Sequence, residues 1–271
     1  MQSNNDALHV CVFDSGIGGL PFLKAIHQEW RGVTISYVAD DAGFPYGTKS
    51  PEAIRDILFE RVRRIRARLD PDILVISCVT AVQIGLKDLQ AAHRQLRIIG
   101  AIPPIAQAAR ETQSHRIAVL TTARAAEDAF LDDMIARDAP EIDVFRIPAQ
   151  DLVDYVEQHL PFAEQESAEA VVEPYIAYAL EKGADRLVLA SSHFVFLEEA
   201  IRNVITARAM DDVHCLDSRE HVLFALRRFL FSEPAAEAAN EMGFYLTGDR
   251  KPCPSYIAWA NRFGTAVPEL L

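Results

Sequence analysis

The chain has 271 residues, with 27 Lys or Arg against 39 Asp or Glu, a formal charge of −12 at pH 7. Nucleic acid and anionic membrane both reward clustered positive charge, so neither is expected as a partner. Half the residues are apolar and 24% are charged, a globular balance, and no apolar run approaches the roughly 20 residues of a membrane helix. Residues 1–7 are polar and carry no signal-like apolar stretch, so a cytoplasmic location is expected. The four cysteines, Cys11, Cys78, Cys215 and Cys253, form no CxxC pair and are expected to be reduced. None of the eight histidines stands at ligand spacing from a cysteine or another histidine, so no metal site is expected.

In chain order, the first strand candidate is His9–Phe13, and Asp14-Ser15-Gly16-Ile17-Gly18-Gly19 follows it directly. Backbone N–H groups and the helix dipole converge at such a turn and suit an anion. The glycine spacing is not that of a dinucleotide fingerprint, and a tight turn that needs glycine for its backbone is the plain alternative. Thr34–Val38 is the second strand, with Pro45-Tyr46-Gly47-Thr48-Lys49 in the long connection after it, a functional loop or an ordinary turn. Ser50 caps a helix over Pro51–Leu69, whose first position is proline. The third strand, Ile73–Ser77, leads to Cys78 and a helix from Ala81 onward. A thiol at a helix N-terminus has a lowered pKa, which makes Cys78 the cysteine placed for chemistry; a buried structural cysteine is the alternative.

Arg97–Gly100 is the fourth strand, and Pro103 and Pro104 then interrupt the rhythm. The second half reads as strand Arg116–Leu120, helix Ala123–Arg137 and strand Asp143–Arg146. A solvated acidic turn over Pro161–Ala170 comes next, then a helix over Ala168–Lys182 stopped by Gly183. Arg186–Ala190 and Val213–Leu216 complete the strands. Continuous apolar strands alternating with helical segments imply an α/β fold with parallel sheets covered on both faces. The proline break favours two lobes, residues 1–100 with 214–271 and residues 101–213. Ile76-Ser77-Cys78-Val79-Thr80 and Leu189-Ala190-Ser191-Ser192-His193 echo each other at two strand ends. Ligands of open α/β sheets bind beyond the carboxyl ends of strands, so both segments are expected to face one cleft.

These residues resemble the glutamate racemase family. The likeness rests on Asp14-Ser15-Gly16 with Gly18-Gly19, on Pro45-Tyr46-Gly47-Thr48-Lys49-Ser50-Pro51-Glu52, and on Cys78-x-Thr80. It continues at Leu187-Val188-Leu189 leading to His193, at Leu216-Asp217-Ser218, and at Phe244 to Gly248-Asp249. The resemblance implies two pseudo-symmetric α/β lobes, mostly parallel, with the active site between them. It also implies a cofactor-independent amino-acid racemase that supplies D-glutamate for peptidoglycan and forms a homodimer. Racemisation removes the α-proton from one face and returns it to the other. Thiols suit both steps, because their reference pKa of about 8.5 lets one be thiolate while the other is thiol. By resemblance the catalytic residues are Cys78 assisted by Asp14 on one face, and Ser191 with His193 on the other. Ser15, Pro45, Tyr46, Gly47, Val79, Thr80, Thr122 and Ser192 would contact a small acidic amino acid or dicarboxylic acid.

The chain departs from the family pattern at the second face. Ser191 stands where the family has its other cysteine, Val79 replaces an asparagine, and Ser192 replaces a threonine. Pro103 replaces a glutamate, and Ala125 lies where a threonine is expected. A further family acid matches either Glu157 or Asp154. An alkoxide is far harder to form than a thiolate, so Ser191 needs an adjacent base, for which His193 is placed. Besides a divergent racemase, the residues leave open a one-thiol decarboxylase, lyase or isomerase of a dicarboxylic acid, and an inert carboxylate-binding homologue.

Overall fold

The computed structural model describes residues 8–230 and 242–271. Among the described residues there are ten strands: β1 (His9–Asp14), β2 (Thr34–Ala39), β3 (Ile73–Ile76), β4 (Arg97–Gly100), β5 (Arg116–Thr121), β6 (Asp143–Pro148), β7 (Arg186–Leu189), β8 (His214–Asp217), β9 (Gly243–Leu246) and β10 (Glu269–Leu270). They form a six-stranded sheet ordered β10-β9-β2-β1-β3-β4 and a four-stranded sheet ordered β6-β5-β7-β8, with every pairing parallel. The order β2-β1-β3-β4 is repeated as β6-β5-β7-β8, so the lobes are pseudo-symmetric and β3 corresponds to β7. The α/β architecture read from the sequence is the one observed.

Alternate side chains of each central strand serve different cores, as the two-residue period of a strand requires. Val10 and Val12 of β1 pack in the large core between the lobes, while Cys11 and Phe13 pack on the other face beneath the helices Pro51–Arg68 and Val79–Ala92. In the second lobe Ala118 and Leu120 join the large core, whereas Ile117 and Val119 face the helices Ile105–Glu111 and Ala129–Asp138. The helix Pro254–Phe263 ties the lobes together. Its buried Trp259 donates through Nε1 to the Val156 carbonyl at 3.2 Å and stacks edge-on against Phe196.

Several expectations need correction. β8 pairs with β7, so His214–Asp217 belongs to the second sheet and a division at residue 213 falls one strand early. The expected helix over Ala123–Arg137 is two, Ala123–Ala126 and Ala129–Asp138, because Asp128 accepts from the Phe130 N–H and starts a new cap. The segment Pro161–Ala170 is not one turn: Leu160–Phe162 forms a 3₁₀ turn, and the helix Gln165–Glu181 begins within the segment. β9 and β10 are additional strands.

Candidate active site

Every strand of both sheets runs parallel, and the loops after β1, β3, β5 and β7 meet where the lobes face each other. The resulting cleft is lined by Ser15, Pro45, Tyr46, Gly47, Cys78, Val79, Thr80, Thr122, Ser191, Ser192 and His193, all named above from the sequence. Asp14 lies directly beneath it, fully buried. Phe44, Gln150, Val153 and Ala190 complete the lining and were not anticipated. The cleft is narrow, with an empty volume of about 330 Å³.

Cys78 is the residue that precedes the helix Val79–Ala92, and its side chain is 5% exposed. Its Sγ donates to Ser15 Oγ at 3.4 Å, and Ser15 Oγ in turn donates to Asp14 Oδ1 at 3.4 Å. Ser77 Oγ donates to the other Asp14 oxygen at 2.8 Å, which fixes the carboxyl beneath the thiol. The helix N-terminus does not lower this thiol's pKa as expected. Burial, and after it the charge of Asp14, pushes Cys78 up to about 12, against the opposing contacts from Ser15 and the Ala81 N–H. Asp14 is itself raised by burial, partly offset by His193 and Ser77.

Ser191 occupies the corresponding position after β7 and is also 5% exposed. Behind it, His193 Nε2 lies 2.8 Å from Glu157 Oε1, both groups being buried. Burial alone would lower the imidazole pKa, but the hydrogen bond and charge of Glu157, with Asp14 and Asp154, raise it above 6.5. Of the two acids left open above, Glu157 is the one buried against His193, and Asp154 is exposed on the same helix.

Two further corrections concern the anion contacts. The glycine turn after β1 does hold a carboxylate, but it is the protein's own: the Ile17 N–H donates to Glu157 Oε1 at 2.7 Å. A Cβ at Gly16 would collide with that same oxygen, so glycine is needed there to admit the glutamate. The neighbouring Gly16 and Gly19 N–H groups are taken by Asp14 Oδ1 and Tyr37 Oη. Tyr46 does not turn its hydroxyl to the cleft; it donates to the buried Asp40 at 2.7 Å, where Arg61 Nε also donates at 2.7 Å. What this loop offers a ligand is backbone and ring. The Thr80 and Thr122 hydroxyls do face each other across the cleft at 3.5 Å, within hydrogen-bond distance, and Thr122 Oγ1 also accepts from the Ala125 N–H at 3.3 Å.

Fold and cleft together define a class: a two-lobed α/β protein that presents acid/base side chains from facing strand ends. The family model for Asp/Glu/hydantoin racemases matches residues 18–219. The chain is 34% identical over 197 residues to the glutamate racemase of Rhizobium meliloti (strain 1021), covering 72% of this chain and 71% of that protein. It is 35% identical over 207 residues to the glutamate racemase of Brucella anthropi, covering 75% and 74%. Among solved structures, Escherichia coli glutamate racemase in complex with L-glutamate and the activator UDP-MurNAc-ala superposes with a TM-score of 0.79 at 23% identity, over 98% of each chain. Thermus thermophilus glutamate racemase in complex with beta-chloro-D-alanine superposes at 0.72 with 25% identity, over 97% and 96%. The chain belongs to the Asp/Glu/hydantoin racemase family.

Proposed function

We propose that the protein is a glutamate racemase-like isomerase that moves the α-proton of glutamate without a cofactor. The observation that carries this reading is the placement of Cys78 and Ser191 at equivalent strand ends of the two lobes, both lining one cleft. A substrate ammonium brings positive charge beside Cys78, and the thiol passes its proton through Ser15 Oγ to Asp14, giving the thiolate that burial otherwise disfavours. The thiolate then takes the α-proton, forming S–H and leaving the electron pair on Cα, delocalised into the substrate carboxylate. A proton delivered to the opposite face from the Ser191 hydroxyl gives the inverted product. The Ser191 oxygen regains its proton from the His193 imidazolium that Glu157 maintains.

Ser191 is adequate as a proton donor to a carbanion but poor as a base, because its alkoxide is scarce. Losing one effective acid/base group costs on the order of 10² to 10⁴ in rate, so turnover slower than that of a two-thiol site is expected. Val79 and Ser192, with Ser15, Thr80, Thr122 and the Pro45-Tyr46-Gly47 backbone, would form the binding surface. We extend the same reading to a homodimer in the cytoplasm whose product supplies D-glutamate for peptidoglycan. Among the described residues no helix is long and apolar enough to cross a membrane. The test is incubation of purified protein with each enantiomer of glutamate, followed by chiral chromatography. Appearance of the opposite enantiomer from both supports the reading, and its absence with folded protein refutes it.

A further inference from the structure

The cleft has two polar ends. One gathers Cys78, Asp14, Ser15, Ser191 and His193, the acid/base groups of the site. The other gathers Thr80, Thr122, Gly47 and Gln150, none of which titrates near neutrality. A dicarboxylic amino acid also has two ends, one that reacts and one that does not. The end without acid/base groups suits the non-reacting carboxylate.

Gln150 opens the helix Gln150–Gln158 in the second lobe, immediately after the turn that follows β6. Its side chain reaches across to the first lobe and lies against Gly47, where a Cβ would collide with the amide oxygen and would come within 3.3 Å of the Thr122 Cβ. Gly47 is therefore needed to admit this amide. The Gln150 Oε1 is buried without a hydrogen-bond partner. A buried carbonyl left unpaired is costly, and such groups are commonly completed by a ligand or water. The oxygen and nitrogen of an amide are interchangeable by a half-turn about its last torsion. Oε1 has no bond to lose, and that half-turn would present the NH₂ in its place to an incoming carboxylate.

We infer that Gln150 is a specificity-determining residue, its amide hydrogen-bonding the distal carboxylate of the substrate at the Gly47–Thr122 end of the cleft; this rests on the racemase-like reading above. Glutamate carries its distal carboxylate one methylene further from the reacting Cα than aspartate does, which suits an amide at the end of the cleft away from the thiol. Gln150 thereby favours the longer acid. It also bridges the lobes at the cleft rim, so a bound glutamate joins both lobes through one amide.

The test compares the parent protein with Gln150→Met, which keeps length but cannot hydrogen-bond, and with Gln150→Glu, which faces the ligand with a second carboxylate. Dissociation constants for glutamate and aspartate are measured by calorimetry, alongside KM and kcat. A hydrogen bond to a charged group predicts glutamate binding weaker by about tenfold or more in Gln150→Met, with aspartate changed by less than about threefold. Gln150→Glu is expected to weaken glutamate further, and the loss is expected to fall in KM more than in kcat. Unchanged glutamate affinity in Gln150→Met, or equal losses for both acids, overturns the inference while leaving the racemase reading intact. Failure of the parent protein to bind either enantiomer of glutamate overturns both.

Discussion

The ends of β3 and β7 are built alike and armed differently. Each parallel strand runs out into the same cleft, and each places its key side chain at the same depth, Cys78 and Ser191 both being 5% exposed. Behind Cys78 stand Ser15, Asp14 and Ser77, which orient the sulfur but leave it short of positive charge. On the side of Ser191 stands His193, whose pKa the neighbouring Glu157 raises against the effect of burial. On the proposed reading one face is a base that needs the substrate's charge, and the other is a proton donor resupplied by His193. Pseudo-symmetry of the scaffold fixes position, while acidity, which depends on a single sulfur or oxygen atom, fixes direction.

The comparison breaks most severely if Cys78 is dispensable. Replacing it with Ala is expected to lower α-proton exchange of glutamate in deuterated water by on the order of 10² to 10⁴, measured by proton NMR, because every productive step passes through that sulfur. Ser191→Cys is expected to move the other way. Inversion measured by circular dichroism should rise by about tenfold or more, since a thiol on the second face supplies both acid and base. No change would mean that Val79 and its neighbours, and not Ser191, limit the reaction.

Glu157→Gln sharpens the second face. Burial lowers the His193 pKa and Glu157 raises it, so without the carboxylate burial prevails and the value falls below the parent's. The high-pH limb of kcat/KM should move to lower pH. Stability should follow the same residue: a histidine raised in the folded state contributes stability that is complete below about 6.5 and lost as the pH climbs through its elevated value. Urea titrations of the parent on either side of that window should show the loss, and those of Glu157→Gln should not. The smallest effect concerns labelling of thiols. Exposed Cys253 should alkylate readily near neutrality, and Cys78, pushed up to about 12 in the free site, should lag by about tenfold or more when followed by peptide mass spectrometry.

Much of this was legible in the chain because its signals are local. All eight expected strands are present: β1 to β5 and β7 are short apolar runs that are largely buried, while β6 and β8 are half-buried edge strands of the second sheet. β9 and β10 escaped notice because one alternates in burial and the other has two exposed residues. The lining of the cleft was readable for the same reason: Cys78, Thr80, Ser191 and His193 sit at strand ends. What sequence could not show was which acceptor occupies which donor. The turn at Gly16–Gly19 looks like a ligand's anion site, yet the carboxylate it binds comes from Glu157, 140 residues away. Local spacing likewise cannot show that burial outweighs a helix terminus at Cys78, or that Gln150 reaches Gly47 from the other lobe.

The asymmetry of the two faces is tested most directly by following exchange and inversion together, for each enantiomer of glutamate, in deuterated water. One enantiomer presents its α-proton to Cys78 and should exchange it with retention faster than it inverts. The other should gain deuterium only as fast as it inverts. Equal ratios of exchange to inversion for both enantiomers would contradict the account, because they would require two faces of equal basicity.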